Sequence, residues 1–276
     1  MWIAQIQTMK ITNGTKVLIT GGASGIGKLM GQIVLQKGAE LIIWDINQER
    51  IDETLAAFSS YGKVTGYRVD VSVPEQIVST AELVRQKHGT VDLLINNAGI
   101  VVGKYFHQHT VAEITKTMEI NANAPMLVAL QFLPDMIARK SGHICNIASS
   151  AGLISNPKMS VYVASKWAAV GWSDSVRIEM QQLKTNVGIT TVTPYYINTG
   201  MFDGVRSSLI PILNPEKAAR KIIRGIERNQ FFVKMPLIVH FVRLCQGLMP
   251  IPIFDFVVGR VLGIYKTMDQ FKGRKN

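Results

Sequence analysis

The stretch KVLITGGASGIG, residues 16–27, decides how the rest of the chain is read. KVLIT is a short apolar run that stops at glycines, the pattern of a buried strand. A helical stretch follows over about 26–37, and Gly38 closes it, as glycine tends to. ELIIWD, residues 40–45, then reads as a second strand that ends in an acid. Glycines between a strand and a helix permit a tight turn. They also let backbone N–H groups approach a pyrophosphate at the helix N-terminus. A glycine cluster alone fits an ordinary βα turn equally well. The strand before it, the helix after it and the acid closing the next strand give it its context.

The alternation continues along the chain. Helical stretches are expected over about 48–59, 74–87, 111–140 and 160–183. Strands are expected over 64–69, 91–96, 143–148 and 187–193. Strands alternating with helices imply right-handed crossovers, so the fold class is α/β, a doubly wound parallel sheet flanked by helices. From about Phe231 the alternation is expected to stop, and apolar residues are mixed with Pro236, Pro250 and Pro252. Residues 1–230 are therefore assigned to the nucleotide-binding catalytic part. Residues 231–276 form a hydrophobic, basic extension of the same domain, too short to build its own core.

The totals fit one large domain. The chain has 276 residues, 47% hydrophobic and 18% charged, which argues against disorder. The net charge is +11 and the pI about 9.7, which suits nucleic acid, an anionic membrane surface or mere solubility. No arginine-rich arm, zinc-finger spacing or RNA-binding signature accompanies the charge, so nucleic acid is not an expected partner. Two separated cysteines, Cys145 and Cys245, fit a reducing compartment and neither a disulfide framework nor a metal site. The N-terminus lacks a charged region followed by an apolar block, so no secretory signal is expected. No apolar run reaches the length of a spanning helix. A cytoplasmic location, with contact to a membrane or lipid surface as an option, is expected.

Asp45 lies 18 residues past Gly27. A carboxylate there can accept hydrogen bonds from adenosine ribose hydroxyls and would repel a 2′-phosphate. No arginine stands at Ser24 or Ile46 to receive that phosphate. NAD is therefore favoured over NADP, the alternative being a solvated acid at a strand end. Tyr162 and Lys166, in SVYVASKWAAV, are four residues apart and share one helix face. A nearby ammonium favours a phenolate, and a tyrosine so tuned can exchange a proton with a hydroxyl. Alone, the pair is as well read as a buried tyrosine beside a snorkelling lysine. Ser149, at the end of HICNIASS, adds a hydroxyl at the C-terminal edge of the sheet, where ligands bind in such folds.

These residues together resemble the short-chain dehydrogenase/reductase family, of the classical type, over nearly all of residues 10–227. TGGASGIG, residues 20–27, matches the family's glycine turn, with Gly21, Ser24, Gly25, Ile26 and Gly27 at its cofactor-binding positions. Asp70-Val71 matches the pair that contacts adenine, and NNAG, including Asn97, Ala98 and Gly99, matches the segment after the fourth strand. Asn121 in EINANAP matches the structural asparagine of the long helix. Ser149 precedes Tyr162 by 13 residues, the family's spacing, and PYYINT matches the segment after the sixth strand. The resemblance implies a Rossmann-like fold and hydride exchange with NAD. It makes Tyr162 the general acid/base, and it has Lys166 hold the nicotinamide ribose and lower the Tyr162 pKa. Ser149 would bind the reacting oxygen, and Asn121 would hold a relay water. Ile197 and Thr199 would fix the carboxamide. The chain departs from the family at Tyr195, where glycine usually follows the proline. A bulky residue there either narrows the floor of the cofactor site or contacts substrate.

The stretch GMFDGVRSSLIPILNPE corresponds to the family's mobile lid. Its apolar members, Met201, Phe202, Val205, Leu209, Ile210 and Ile212, either line a greasy substrate pocket or pack on the sheet. From Lys234 the tail carries seven Lys/Arg against Asp255 and Asp269. Interspersed cations and apolar side chains suit a membrane interface, a subunit contact or a cover over the pocket. The tail is more loosely similar to that of the subgroup with epidermal retinol dehydrogenase and the lipid-droplet 17β-hydroxysteroid dehydrogenases. A hydrophobic alcohol or carbonyl compound is the expected substrate, and the family implies a homodimer or homotetramer. The competing function is a non-catalytic NAD-binding scaffold associated with lipid. An epimerase or dehydratase would need a larger C-terminal domain than the residues after Lys166 supply.

Overall fold

The structure, a computed structural model, describes residues 8–273. The sequence expectation for the extreme N-terminus, in residues 1–7, and the last three residues of the tail lie outside this range. The alternation read above organises the described chain. Strands β1 (Lys16–Thr20), β2 (Glu40–Asp45), β3 (Val64–Arg68), β4 (Leu93–Asn96), β5 (Gly142–Ile147), β6 (Val187–Pro194) and β7 (Phe232–Met235) form one sheet in the order β3-β2-β1-β4-β5-β6-β7. Every neighbouring pair is parallel. Helices α1 (Gly25–Gln36), α2 (Gln48–Phe58), α3 (Pro74–His88), α4 (Val111–Met118), α5 (Ala124–Arg139), α6 (Ser160–Gln182) and α7 (Pro215–Glu227) make the crossovers.

The strands read as unbroken apolar runs because both sheet faces are covered. Side chains alternate between the two faces. Val17, Ile19, Leu41 and Ile43 pack with Met30 and Val34 of α1 and Ile222 and Ile226 of α7. Leu18, Ile42, Trp44 and Leu94 pack with Ile77 of α3 and with Val128 and Phe132 of α5. The Trp44 and Phe132 rings lie 6.0 Å apart. The strand order reverses between β1 and β4, which opens a crevice at the C-terminal edge.

Two departures from the sequence reading matter. The long helix expected over 111–140 is broken at Glu119–Asn123 by a π turn, which lies beside the site. The expected end of the alternation at Phe231 is corrected by β7, which pairs with β6 through Thr191↔Phe232 and adds a seventh strand. Only four residues long and followed by Pro236, it shows no usable periodicity in sequence.

Beyond β7 the tail forms two short helices, α8 (Val242–Leu248) and α9 (Ile251–Asp255), and a π turn at Phe256–Val261. Its last described part folds back on the segment expected to be a lid. Arg206 N–H donates to the Thr267 carbonyl at 3.2 Å, and Lys272 N–H to the Asp203 carbonyl at 2.8 Å. A Cβ on Gly204 would stand 2.0 Å from the Gln270 carbonyl oxygen, so only glycine allows the two segments to approach this closely. Lys158 and Asp269 form an ion pair at 3.0 Å. Among the described residues no helix is long and apolar enough to cross a membrane.

Candidate active site

The glycine turn is built by its neighbours. Gly21 and Gly25 take positive φ, 63° and 55°, which side-chain-bearing residues seldom adopt. Asn97 clamps the turn: its Nδ2 donates to the carbonyls of Thr20 and Gly21, both at 3.0 Å. Thr20 Oγ1 in turn accepts from the N–H groups of Asn97 at 3.0 Å and Ala98 at 3.1 Å. The first strand's threonine and the segment after β4 thus hold each other. A Cβ on Gly27 would lie 2.3 Å from the Gly21 carbonyl oxygen. The third motif glycine is therefore needed for helix–turn packing, and it does not line the cleft.

The cleft beside this turn is open to solvent and has a cavity volume of about 120 Å³. Gly21, Ser24, Gly25, Ile26, Asn97, Ala98, Gly99, Ser149, Tyr162, Lys166, Ile197 and Thr199 all line it, so it runs without a break from the glycine turn to the tyrosine. Asp45 ends β2 next to the turn, 9% exposed. Its Oδ2 accepts from the Ala23 N–H and its Oδ1 from the Asn47 N–H, both at 3.2 Å. Each oxygen retains a lone pair for a further donor. Asp70 and Val71 sit outside the cleft lining, in the loop after β3. Asp70 Oδ1 is hydrogen-bonded by the Ser72 hydroxyl at 2.6 Å, and Val71 joins the hydrophobic core.

A dinucleotide fits these residues. The helix α1 begins at the cleft, which Gly25 and Ile26 line, and its first turn carries no acid, unlike those of α2, α3 and α7, so its dipole favours an anion there. The glycines leave the backbone bare where a pyrophosphate would approach.

At the other end, Tyr162 and Lys166 stand one turn apart on α6, each 5% exposed. Lys166 Nζ lies 5.6 Å from the centre of the Tyr162 ring and donates to the Ile147 carbonyl at 3.0 Å. Ser149 caps a 3-10 turn, where its Oγ accepts from the Ala151 N–H at 3.1 Å. Burial pushes the Tyr162 phenol up to about 12, against an opposing effect of the Ser149 side chain. Burial lowers the Lys166 amine to about 8. Burial thus disfavours the phenolate in the protein alone, while a charged Lys166 would favour it. At neutral pH the site presents a neutral phenol, which can donate, beside a lysine that is still mainly charged.

Asn121 is placed in the π turn and does not line the cleft. Its Nδ2 donates to the Ile100 carbonyl at 2.8 Å and the Ser165 hydroxyl at 3.1 Å, and its Oδ1 accepts from the Ile100 N–H at 2.9 Å. The side chain thereby ties α6 to the segment after β4. A Cβ on Gly99 would lie 3.2 Å from Asn121 Oδ1 and 3.7 Å from Lys166 Nζ, which locates Gly99 between them.

Tyr195 is buried, and its hydroxyl hydrogen-bonds the Ser207 hydroxyl at 3.0 Å. It lines the cleft floor and packs edge-on against Tyr196. It also bounds two further spaces next to the cleft. Phe202 sets its ring edge-on to Tyr162 at 6.0 Å. The lid's apolar residues divide. Val205 and Ile210 are buried in one cluster with Tyr162 and Tyr195, and Leu209 and Ile212 are exposed. Sequence reasoning missed the Ile147 carbonyl and Ser165. Only their places, the end of β5 and one residue before Lys166, could have pointed to them.

The comparisons with known proteins agree with this geometry. The family model described as short chain dehydrogenase matches residues 15–209. Epidermal retinol dehydrogenase 2 of Mus musculus is 38% identical over 268 residues, covering 95% of this chain and 86% of that protein. Estradiol 17-beta-dehydrogenase 11 of Homo sapiens is 35% identical over 243 residues, covering 87% and 81%. Among solved structures, a short chain dehydrogenase/reductase from Burkholderia phymatum in complex with NAD superposes with a TM-score of 0.79 at 25% identity, covering 87% of this chain and 95% of that one. A metagenomic short-chain oxidoreductase in complex with NADP gives a TM-score of 0.72 at 26% identity, covering 83% and 98%. The chain belongs to the short-chain dehydrogenase/reductase family, with retinol and 17-beta-hydroxysteroid dehydrogenases among the relatives it resembles.

Proposed function

We propose that this oxidoreductase uses NAD to interconvert a hydrophobic alcohol and its ketone or aldehyde, with Tyr162 as the general acid/base. The observation that carries this is the joining of the glycine turn, Ser149, Tyr162 and Lys166 along one cleft. NAD, when bound, would accept or return the hydride. The chain's task is binding, orientation and proton handling.

Gly21, Ser24, Gly25 and Ile26 would hold the pyrophosphate at the start of α1, and Asp70 and Val71 the adenine. Asp45 would take the ribose hydroxyls through its remaining lone pairs, and its charge disfavours a 2′-phosphate, which supports NAD over NADP. Asn97, Ala98 and Gly99 would lie along the cofactor, and Ile197 and Thr199 would fix the carboxamide. Ser149 would hold the reacting oxygen. In reduction, the neutral Tyr162 phenol gives its proton to that oxygen. That leaves a phenolate, which the Lys166 ammonium stabilises, and in oxidation the phenolate takes the proton back from the alcohol. Because the Asn121 amide is engaged on three sides, a relay water would rest on its backbone carbonyl in the π turn.

The substrate is apolar in this reading because Phe202 and Tyr195 line the cleft beside Tyr162, with Val205 and Ile210 buried in the same apolar cluster. Exposed Leu237, Leu244, Leu248 and Ile251 on the tail support peripheral contact with a lipid surface. Exposed Leu130 on α5 and Trp167 and Ile178 on α6 support a homodimer or homotetramer formed through those helices. The test is Tyr162→Phe. Turnover is expected to disappear while NAD affinity, read by calorimetry, is retained; unchanged turnover rejects the assigned role.

A further inference from the structure

Three spaces meet at Tyr195. The first is the cleft already described. The second is narrow, about 20 Å³, bounded by Ser149, Met159, Tyr196 and Phe202. The third, about 230 Å³, lies under the tail, walled by Ile210, Val242, Cys245, Val258 and Leu262. Tyr195 borders all three. Ser149 borders the first two, and Ser150, Ile154 and Ile264 border the second and third. The spaces are therefore consecutive from the Ser149 hydroxyl outward. At the far end, Ile238 and Phe241 line the third space while remaining 39% and 51% exposed, which puts its mouth on the apolar face of the tail.

The walls of the third space are almost wholly apolar; Ser150 and Tyr195 supply its polar groups, and the Tyr195 hydroxyl is engaged by Ser207. Water inside would find few partners, so the chemistry that suits the space is hydrocarbon. The rings of Tyr195 and Tyr196, 4.6 Å apart between centres, and that of Phe202, 5.0 Å from Tyr196, crowd the middle space. A slender chain fits such a passage better than a wide ring system.

We propose that the third space is the site for the tail of a long-chain alcohol or carbonyl substrate. The chain enters from the apolar face around Ile238 and Phe241, passes Tyr195, and presents its oxygen to Ser149 and Tyr162. Tyr195, the residue that departs from the family's glycine, is the partition that sets the width of the passage. The proposal rests on the oxidoreductase function above and names the shape of its substrate. Binding by such a chain gains about fourfold per buried methylene.

Cys245 provides a direct readout, because it lines the space and is partly exposed while Cys145 is buried. The experiment measures alkylation of Cys245 by N-ethylmaleimide in the NAD-loaded protein, by peptide mass spectrometry, with 1-propanol or 1-decanol present. The same alcohols and those between them are assayed for NAD reduction. The expected result is about tenfold slower alkylation with 1-decanol, none with 1-propanol, and kcat/KM rising about fourfold per methylene before a plateau. Equal alkylation rates with and without 1-decanol overturn the proposal, even if every alcohol is turned over. Protection with a flat kcat/KM series overturns it too. Protection with no turnover of any alcohol leaves the chain site standing and rejects the alcohol chemistry.

Discussion

Lys166→Met should stabilise the protein at neutral pH and abolish its activity. Burial lowers the Lys166 amine from an ordinary 10.5 to about 8. Each pH unit corresponds to about 1.4 kcal/mol, so the charged lysine costs the folded state about 3 kcal/mol near pH 7. Methionine removes that cost and keeps the apolar stem. It also removes the charged group's hydrogen bond to the Ile147 carbonyl, a loss of about 2 kcal/mol. The net expectation is about 1 kcal/mol of added stability at pH 7. The sign with pH follows from linkage. Between about pH 8 and 10.5 the unfolded chain binds more protons at this lysine than the folded one, so the wild type gains stability as pH rises. The stability difference should therefore move by about 2.5 kcal/mol toward the wild type between pH 7 and pH 10, which reverses the variant's advantage. Urea unfolding of both proteins at the two pH values measures this, and taking the difference cancels titrations common to both. A variant less stable than the wild type at pH 7, or a difference independent of pH, refutes the inference that the lysine is held charged at a cost. Such a cost at a residue the chemistry needs is the usual trade between stability and activity.

Asp45→Ala should shift the NADP-to-NAD preference, as a ratio of kcat/KM values, by about tenfold to hundredfold toward NADP, because it removes both a ribose acceptor and a like charge; an unchanged ratio rejects Asp45 as the discriminator. Gly27→Ala places a methyl group 2.3 Å from the Gly21 carbonyl oxygen and 2.6 Å from Asn97 Nδ2. The backbone must shift, so thermal unfolding should show a loss of about 1–3 kcal/mol, with NAD affinity falling about tenfold or more. Wild-type stability and affinity in that variant would contradict the clamp described for the turn.

How much of this was legible in sequence follows from burial. Strands covered on both faces, such as KVLIT and ELIIWD, announce themselves as apolar runs, and the order of sheet and crossover helices follows. β7 did not, since four residues closed by a proline carry no period. The π turn at Glu119–Asn123 was hidden because a bulge changes hydrogen bonding without changing composition. In the site, Tyr162 and Lys166 were legible only together with Ser149 at the end of β5 and the other family motifs, since their four-residue spacing alone fits a packed pair equally well. Their protonation was not, because desolvation depends on every segment packed around them, including Phe202 from the lid. Nor was the saturation of the Asn121 amide, which needs the distant Ile100 backbone and Ser165 in register. The tail's amphipathic character was visible, but not that one side of it would close over the lid while the other stays bare.

The central claim is tested most directly by the absorbance of reduced nicotinamide when the protein is mixed with NAD and alcohols that run from short polar ones to long apolar ones, with detergent micelles present. The account predicts turnover with NAD that favours the apolar alcohols. No absorbance change across the whole set, in a protein that binds NAD tightly, contradicts it and leaves a nucleotide-binding scaffold in its place.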